Sequence, residues 1–111
     1  MPGPLEGVKV VEFSEVIAGP LAGMLLSDMG AEVIKVEPPW GDPWRDARPF
    51  SATESRPFLA YNRGKRGLPL DLTAPEARDV LQRLIWRTDV VLVNYRPDVA
   101  ARLGVDYAAL A

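Results

Sequence analysis

The chain has 111 residues, of which 48% are apolar and 25% charged, the balance of a folded globular domain and not of a disordered or fibrous segment. Its 13 Lys and Arg against 15 Asp and Glu leave a net charge of -2, so no overall positive field draws it to nucleic acid or to an anionic membrane. It contains no Cys and no His, which removes disulfides, thiolate and imidazole ligands and the commonest general base, and argues against a metal site.

The opening segment "MPGPLEGVKVVEF" lacks the basic start and apolar core of a secretory signal. No run reaches the ~20 apolar residues of a membrane span. A cytoplasmic protein without a membrane partner is expected. The first strand is read over residues 8–13, where Val8, Val10, Val11 and Phe13 are apolar. After a turn at Gly19 and Pro20, a helix is expected over residues 20–29, with Gly30 as its left-handed stop. Leu21, Met24, Leu25 and Met29 fall at helical spacing as its apolar face, and Ser27 and Asp28 mark the wetter side. Val33, Ile34 and Val36 make a second strand of the β-branched kind found in parallel sheets, completing a βαβ unit.

Residues 38–57 are dense in Pro, Arg, Asp and Ser and read as a long functional loop, with Trp40 and Trp44 as packing anchors in it. A short helical turn and a basic tight turn at residues 62–67 follow, then a third strand at residues 68–72, at a sheet edge because Pro69 has no backbone donor. Thr73 and Glu76 have the spacing of a capping box ahead of a helix whose buried stripe is Ala77, Val80, Leu81, Leu84 and Ile85. Residues 89–95 carry four consecutive apolar positions and read as a central strand covered on both faces. Asp106 is placed to cap a further helix, which the chain enters for about one turn; a fragment of a longer protein is expected.

Strand, turn and helix around "EVIAGPLAGMLLSDMG" have the order of a nucleotide-binding loop, and Glu37 ends the second strand where dinucleotide folds hold a ribose. The GxGxxG spacing is missing, however, and Pro20 has no N–H to offer a phosphate. The local reading of Gly19, Pro20 and Gly23 is a tight turn with close helix packing.

Three blocks in order, "GVKVVEFSEVIAGPLAGMLLSDMGAEVIKVEPPWGDPWR", "NRGKRGLPLDL" and "VLVNYRPDVAARLGV", resemble the N-terminal part of the class III CoA-transferases, the CaiB/BaiF family that also contains α-methylacyl-CoA racemases. The resemblance implies an α/β, Rossmann-like parallel sheet with flanking helices, here the N-terminal portion of a large domain (residues 1–111). It implies that the rest of that domain and a second small domain lie outside these residues, and that the full-length protein is an interlocked homodimer. It implies coenzyme A as substrate, no metal, and an acyl-CoA and a carboxylic acid acceptor as partners. An aspartate beyond residue 111 is the nucleophile that forms a mixed anhydride, so the chain alone is expected to be inactive.

By the same resemblance, Val16, Ile17 and Ala18 lie beside the thioester, and Leu70, Asp71, Leu72, Thr73, Asn94, Tyr95, Arg96 and Arg102 contact CoA toward its adenosine end. Formyl-CoA transferases have Gln at the position of Ile17 and a CoA-binding Arg at that of Pro38, so oxalate or formate is a poor fit and a phosphate contact must come from elsewhere. Arg45 or the "NRGKR" turn is expected to supply it. Arg45, Arg48, Arg56, Arg63, Lys65 and Arg66 form a local excess of cations over Asp42, Asp46 and Glu54, apt for a polyanion but equally the pattern of solvated loop charges or dimer contacts. Asp71 and Asp89 sit at strand ends, where structural use is expected. An acyl-CoA racemase fragment and a non-catalytic interaction piece, its sheet completed by another chain, are the alternative readings.

Overall fold

The computed structural model describes residues 3–47 and 55–111. Strand β1 (Lys9–Phe13), helix α1 (Ala18–Asp28) and strand β2 (Glu32–Glu37) form the expected βαβ unit. A 3-10 turn (Pro43–Asp46) and helix α2 (Arg56–Asn62) lead to β3 (Arg66–Pro69), and α3 (Ala77–Ile85) leads to β4 (Val90–Val93). Helices α4 (Pro97–Leu103) and α5 (Tyr107–Leu110) follow. All neighbouring strands are parallel, in the order β3-β2-β1-β4, so the sheet grows one way from β1 and then the other. Gly30 has a φ of 103°, the left-handed stop after α1 that its position predicts.

Strand alternation sorts β1 into two faces. Val11 and Phe13 face a core shared with Val36, Leu81 of α3, Ala100 of α4 and Val105. On the opposite face Val10 and Val33 pack with Ala31 and with Leu26 of α1. Toward the C-terminal ends of the strands that second face turns from apolar to ionic. Glu12 stands in register beside Lys35, and both are buried. Lys35 Nζ lies 3.3 Å from Glu12 Oε2 and 2.9 Å from Asp42 Oδ2, and donates to the Ser14 carbonyl at 3.2 Å.

Lys65 enters from the other side. Its Nζ lies 2.8 Å from Glu12 Oε1, in a charge contact without a directed hydrogen bond to that oxygen, and donates to Pro20 O, Tyr61 O and Asn62 Oδ1. The Ser14 hydroxyl donates to Glu12. Two lysines and two carboxylates thus close a neutral, desolvated cluster, the arrangement in which burial of charge is tolerated. Burial pushes the Lys65 ammonium below its usual range, and Glu12 opposes the shift.

Helix α1 lies directly on this cluster. Its buried residues are Gly19, Pro20, Gly23 and Met24; of the stripe read from Leu21, Met24, Leu25 and Met29, Met24 is buried as expected, whereas Leu25 is 49% exposed and Met29 is also exposed, so small residues make up most of the covered face. A Cβ on Gly19 would meet Ser14 and Asn94, and one on Gly23 would collide with the Glu12 carboxylate. Both glycines are helical, so close packing rather than a tight turn explains them. On the wetter side, Asp28 pairs with Arg63 at 2.7 Å and Ser27 donates to the Gly64 carbonyl, docking the basic turn onto α1.

Three further expectations change. Helix α3 begins at Ala77 with Glu76 as its N-cap and no side-chain cap bond; the Thr73 hydroxyl and amide both donate to Asp71 instead, so no capping box forms. Val80 is exposed. Strand β4 is the last of the sheet in the described residues and not a central one, with Val90 at 42% and Val91 at 36% exposure.

Glu37, the last residue of β2, accepts two bonds from Arg45, Nε at 2.8 Å and Nη2 at 2.6 Å, and one from the Asp42 amide at 2.8 Å. The guanidinium lies over Phe58 of α2, 3.8 Å from the ring centre. Burial pushes the Glu37 carboxyl up, but Arg45 and the Asp42 amide outweigh it and hold the group below the ordinary 4.5.

Two tests follow from this packing. Gly23→Ala is expected to destabilise by about 1–3 kcal/mol in urea unfolding, through overpacking against Glu12. An open mid-helix site would instead gain roughly 1 kcal/mol, so a stabilised variant removes the close-approach account. For Glu37, a folded pKa below the unfolded one means stability that is complete above 4.5 and is lost as pH falls through the folded value. The melting-temperature gap between the parent and Arg45→Met should therefore be widest near neutral pH and shrink below 4.5; a gap that stays constant into strong acid shows that the pair does not carry it.

Candidate functional site

In a doubly wound sheet, ligands bind beyond the carboxyl ends of the strands where the order reverses. Here that point lies between β1 and β4, and the segments leaving both strands meet there. Glu15 N donates to Asn94 Oδ1 at 3.1 Å and Asn94 Nδ2 donates to Glu15 O at 2.9 Å, so one amide side chain bridges the crevice. Val16 N donates to Asp42 Oδ1 at 3.3 Å. Val16 has a φ of 71°, the one non-glycine residue with positive φ among the described residues, and a β-branched side chain is a genuine outlier there. Ile17 and Ala18 complete this turn; Ile17 is 40% exposed and starts α1 without a side-chain cap.

Beside the turn lies a cavity of about 330 Å³. Val36, Glu37, Pro38 and Trp40 form one wall, residues 70–73 a second, and Tyr95 with Val99, Arg102 and Leu103 of α4 a third, with Glu15 at the rim. The second wall is pinned because Leu70 N donates to Glu37 O at 2.8 Å, one step past β3. Asp71 accepts from the Thr73 hydroxyl at 2.6 Å and the Thr73 amide at 3.0 Å, and these bonds hold its carboxyl below the usual range. Burial first, and then the carboxylates of Glu15, Asp42, Glu37 and Glu12, push the Tyr95 phenol up to about 12. Tyr95 is therefore a neutral hydroxyl donor with an apolar ring, not an acid at physiological pH. Leu, Val, Pro and aromatic walls with a few polar groups at the edge suit an amphipathic organic ligand.

Of the residues anticipated for CoA, Leu70, Asp71, Leu72, Thr73, Tyr95 and Arg102 line this one cavity. Val16, Ile17 and Ala18 form the neighbouring turn, and Asn94 stands between the two with both ends of its amide engaged on Glu15. Arg96 is outside the cavity, 81% exposed and 3.3 Å from Asp98. Of the cations anticipated for a phosphate contact, Arg45 is bidentate on Glu37, Arg63 holds Asp28 and Lys65 is buried on Glu12, while Arg66 is exposed. Arg48 and Glu54 lie outside the described residues.

Asp89 accepts from Lys9 N at 2.9 Å, the structural use its place at a strand end suggests. Trp44 packs on Tyr61, ring centres 5.6 Å apart, while Trp40 is 76% exposed at the cavity mouth. The wall residues Glu15, Val99 and Leu103 were not anticipated; their signal was only adjacency, to the turn after β1 and to Arg102 on its helix. Among the described residues no group of acidic side chains is arranged to hold a metal ion, and no helix is long and apolar enough to cross a membrane.

Comparison with known proteins gives the family of the chain. The chain is 41% identical over 115 residues to the succinate–glutarate CoA-transferase of Agrobacterium fabrum, a match covering 96% of this chain and 29% of that protein. It is 42% identical over 106 residues to the human succinyl-CoA:glutarate CoA-transferase, covering 94% and 24%. The chain thus spans less than a third of the length of these curated relatives. Among solved structures, a CaiB/BaiF family protein from Brucella suis superposes with a TM-score of 0.91 at 39% identity, covering 99% of this chain and 30% of that one. The family model for CoA-transferase family III matches residues 5–111, and with this extent of sequence and backbone agreement the chain belongs to that family.

Proposed function

We propose that this chain builds part of the CoA-binding side of a transferase site that moves CoA between an acyl-CoA and a carboxylic acid. In this reading the cavity takes the adenosine end of CoA and the turn of Val16, Ile17 and Ala18 lies beside the thioester. The observation that carries it is convergence: residues 70–73, Tyr95 and Arg102 come from three separate segments yet share one cavity next to that turn.

The chemistry of the walls supports the same assignment. Tyr95 and Trp40 offer aromatic faces to a purine, and ionised Asp71 offers an acceptor to ribose or amino groups. Arg102 can meet a phosphate with a forked pair of charge-assisted bonds. Because Glu37 is neutralised by Arg45, the cavity presents less negative charge to a polyanion than its residue list suggests. The names of the relatives quoted above favour transfer over racemisation.

The nucleophile comes from outside residues 1–111. In the family scheme an aspartate carboxylate attacks the thioester carbon and expels CoA as its thiolate. That thiolate then attacks the aspartyl carbonyl of the mixed anhydride, releasing the donor acid and leaving an aspartyl-CoA thioester. The acceptor carboxylate displaces the thiolate from it, and the thiolate attacks the acceptor carbonyl of the new anhydride, giving the acceptor's CoA ester and freeing the aspartate.

Two measurements test this. Titration with CoA, followed by tryptophan fluorescence, should give a saturable change reported by Trp40. Arg102→Ala should raise the midpoint about tenfold, the scale of a lost charge-assisted bond. Arg83→Ala, on the far face of α3, should leave the midpoint unchanged. A response that does not saturate, or that is indifferent to Arg102, ends the CoA assignment of this cavity. The 111-residue chain is also expected to show no CoA transfer from succinyl-CoA; turnover would place the nucleophile within it.

A further inference from the structure

The turn after β1 is held by side chains from three other parts of the chain, one for each of three consecutive residues. Lys35 of β2 bonds the Ser14 carbonyl, Asn94 after β4 bonds both polar groups of the Glu15 backbone, and Asp42 ahead of the 3-10 turn accepts from the Val16 amide. Asp42 is itself fixed from every side. Lys35 Nζ reaches its Oδ2 at 2.9 Å, its own amide donates to Glu37 Oε2 at 2.8 Å, and its Oδ1 also takes the Trp44 amide at 2.9 Å. It is buried and has no freedom to follow Val16 elsewhere.

This concentration of bonds falls on the residue whose backbone is least at ease. Valine at a φ of 71° is sterically opposed, and such a conformation persists only where its surroundings over-determine it. Glycine at that position would need no such support.

We propose that Asp42, set in place by Lys35, is a positioning residue that holds Val16 in the left-handed conformation and so fixes the direction in which Ile17 and Ala18 are presented at the site. The role of the turn rests on the CoA-transferase reading above; the clamp itself does not. Asp42 touches no substrate in this scheme and acts through the Val16 backbone. Without the clamp, Val16 relaxes to negative φ, the carbonyls and amides of residues 15–17 rotate, and the Ile17 side chain leaves its present course.

The test separates the clamp from the function it serves. In the 111-residue chain, amide hydrogen exchange read by NMR should show the Val16 amide exchanging on the order of tenfold faster in Asp42→Ala, with Val10 and Val33 in the sheet interior keeping their protection. Asp42→Asn retains an acceptor oxygen and should keep most of the protection at Val16. Backbone chemical shifts of residues 15–17 should move toward negative φ at Val16 in Asp42→Ala and return in the double variant Val16→Gly/Asp42→Ala, because glycine holds the left-handed form unaided.

Unchanged Val16 exchange and shifts in Asp42→Ala, or a Val16→Gly change that restores nothing, overturns the proposal. If Asp42→Ala loses the fold, Asp42→Asn and Val16→Gly alone still decide it: the Asn variant must keep the left-handed shifts, and Val16→Gly must leave the shifts of Ile17 and Ala18 in place. None of these readouts needs CoA, so a failed CoA titration and a failed clamp are told apart.

Discussion

Glu12 beside Lys35 is the contact on which this small domain turns. Two parallel strands present an acid and a base at the same level, on the face where a helix must pack, and the sheet therefore cannot be covered there by leucines. The solution adopted is to complete the charges with Asp42 and Lys65 and to bring the helix down close enough to exclude water. Every neighbouring element answers to that choice. Helix α1 must be glycine where it crosses the cluster, the chain after β2 must return Asp42 to the strand ends, and the turn before β3 must send Lys65 inward. A hydrophobic filling of equal volume often stabilises a domain as well or better, so the cluster is best understood through the positions it imposes.

Those positions divide the carboxyl end of the sheet into two zones. Beneath α1 the charges of Glu12, Lys35, Asp42 and Lys65 are buried and paired with one another. On the α4 side the walls are mostly apolar, with Glu15, Glu37, Asp71 and Thr73 among them, and Arg102 is the cation among the described lining residues. Glu37 belongs to both zones: it anchors Arg45 on one side and lines the cavity on the other, so packing and cavity wall share a single carboxylate. Asn94 does the comparable work between β1 and β4, closing the crevice at its base while leaving the space above Tyr95 open.

Much of the fold was readable. The β-branched runs of β1 and β2, Gly30 at the end of α1, and Pro69 in an edge strand each follow from local chemistry, and the structure agrees with them. The misses have separate causes. Counting apolar residues assigned α1 a leucine and methionine stripe, of which Met24 is buried, but the glycines and proline beside it let the helix approach the sheet more closely, and no hydropathy count registers this. The ion pairs of Arg45, Arg63 and Lys65 were invisible in the sequence because their acids, Glu37, Asp28 and Glu12, are 8, 35 and 53 residues away. Asp71 captured Thr73 before a capping box could form, a competition between two local motifs that spacing alone does not decide. For the site, similarity to a family supplied residues 70–73, Tyr95 and Arg102, whereas the clamp on Val16 depends on a positive φ that no residue type at that position announces.

Strand β4 has a consequence for handling. Its residues, Val90 to Val93, are all apolar, its outer edge carries no proline or lysine, and no described strand pairs with that edge. A net charge of -2 gives little repulsion between copies. An edge of this kind is a template for another strand, so self-association should rise with protein concentration and with salt. The backbone of a strand whose composition suits the middle of a sheet is thus the part of this chain open to pairing with a second copy.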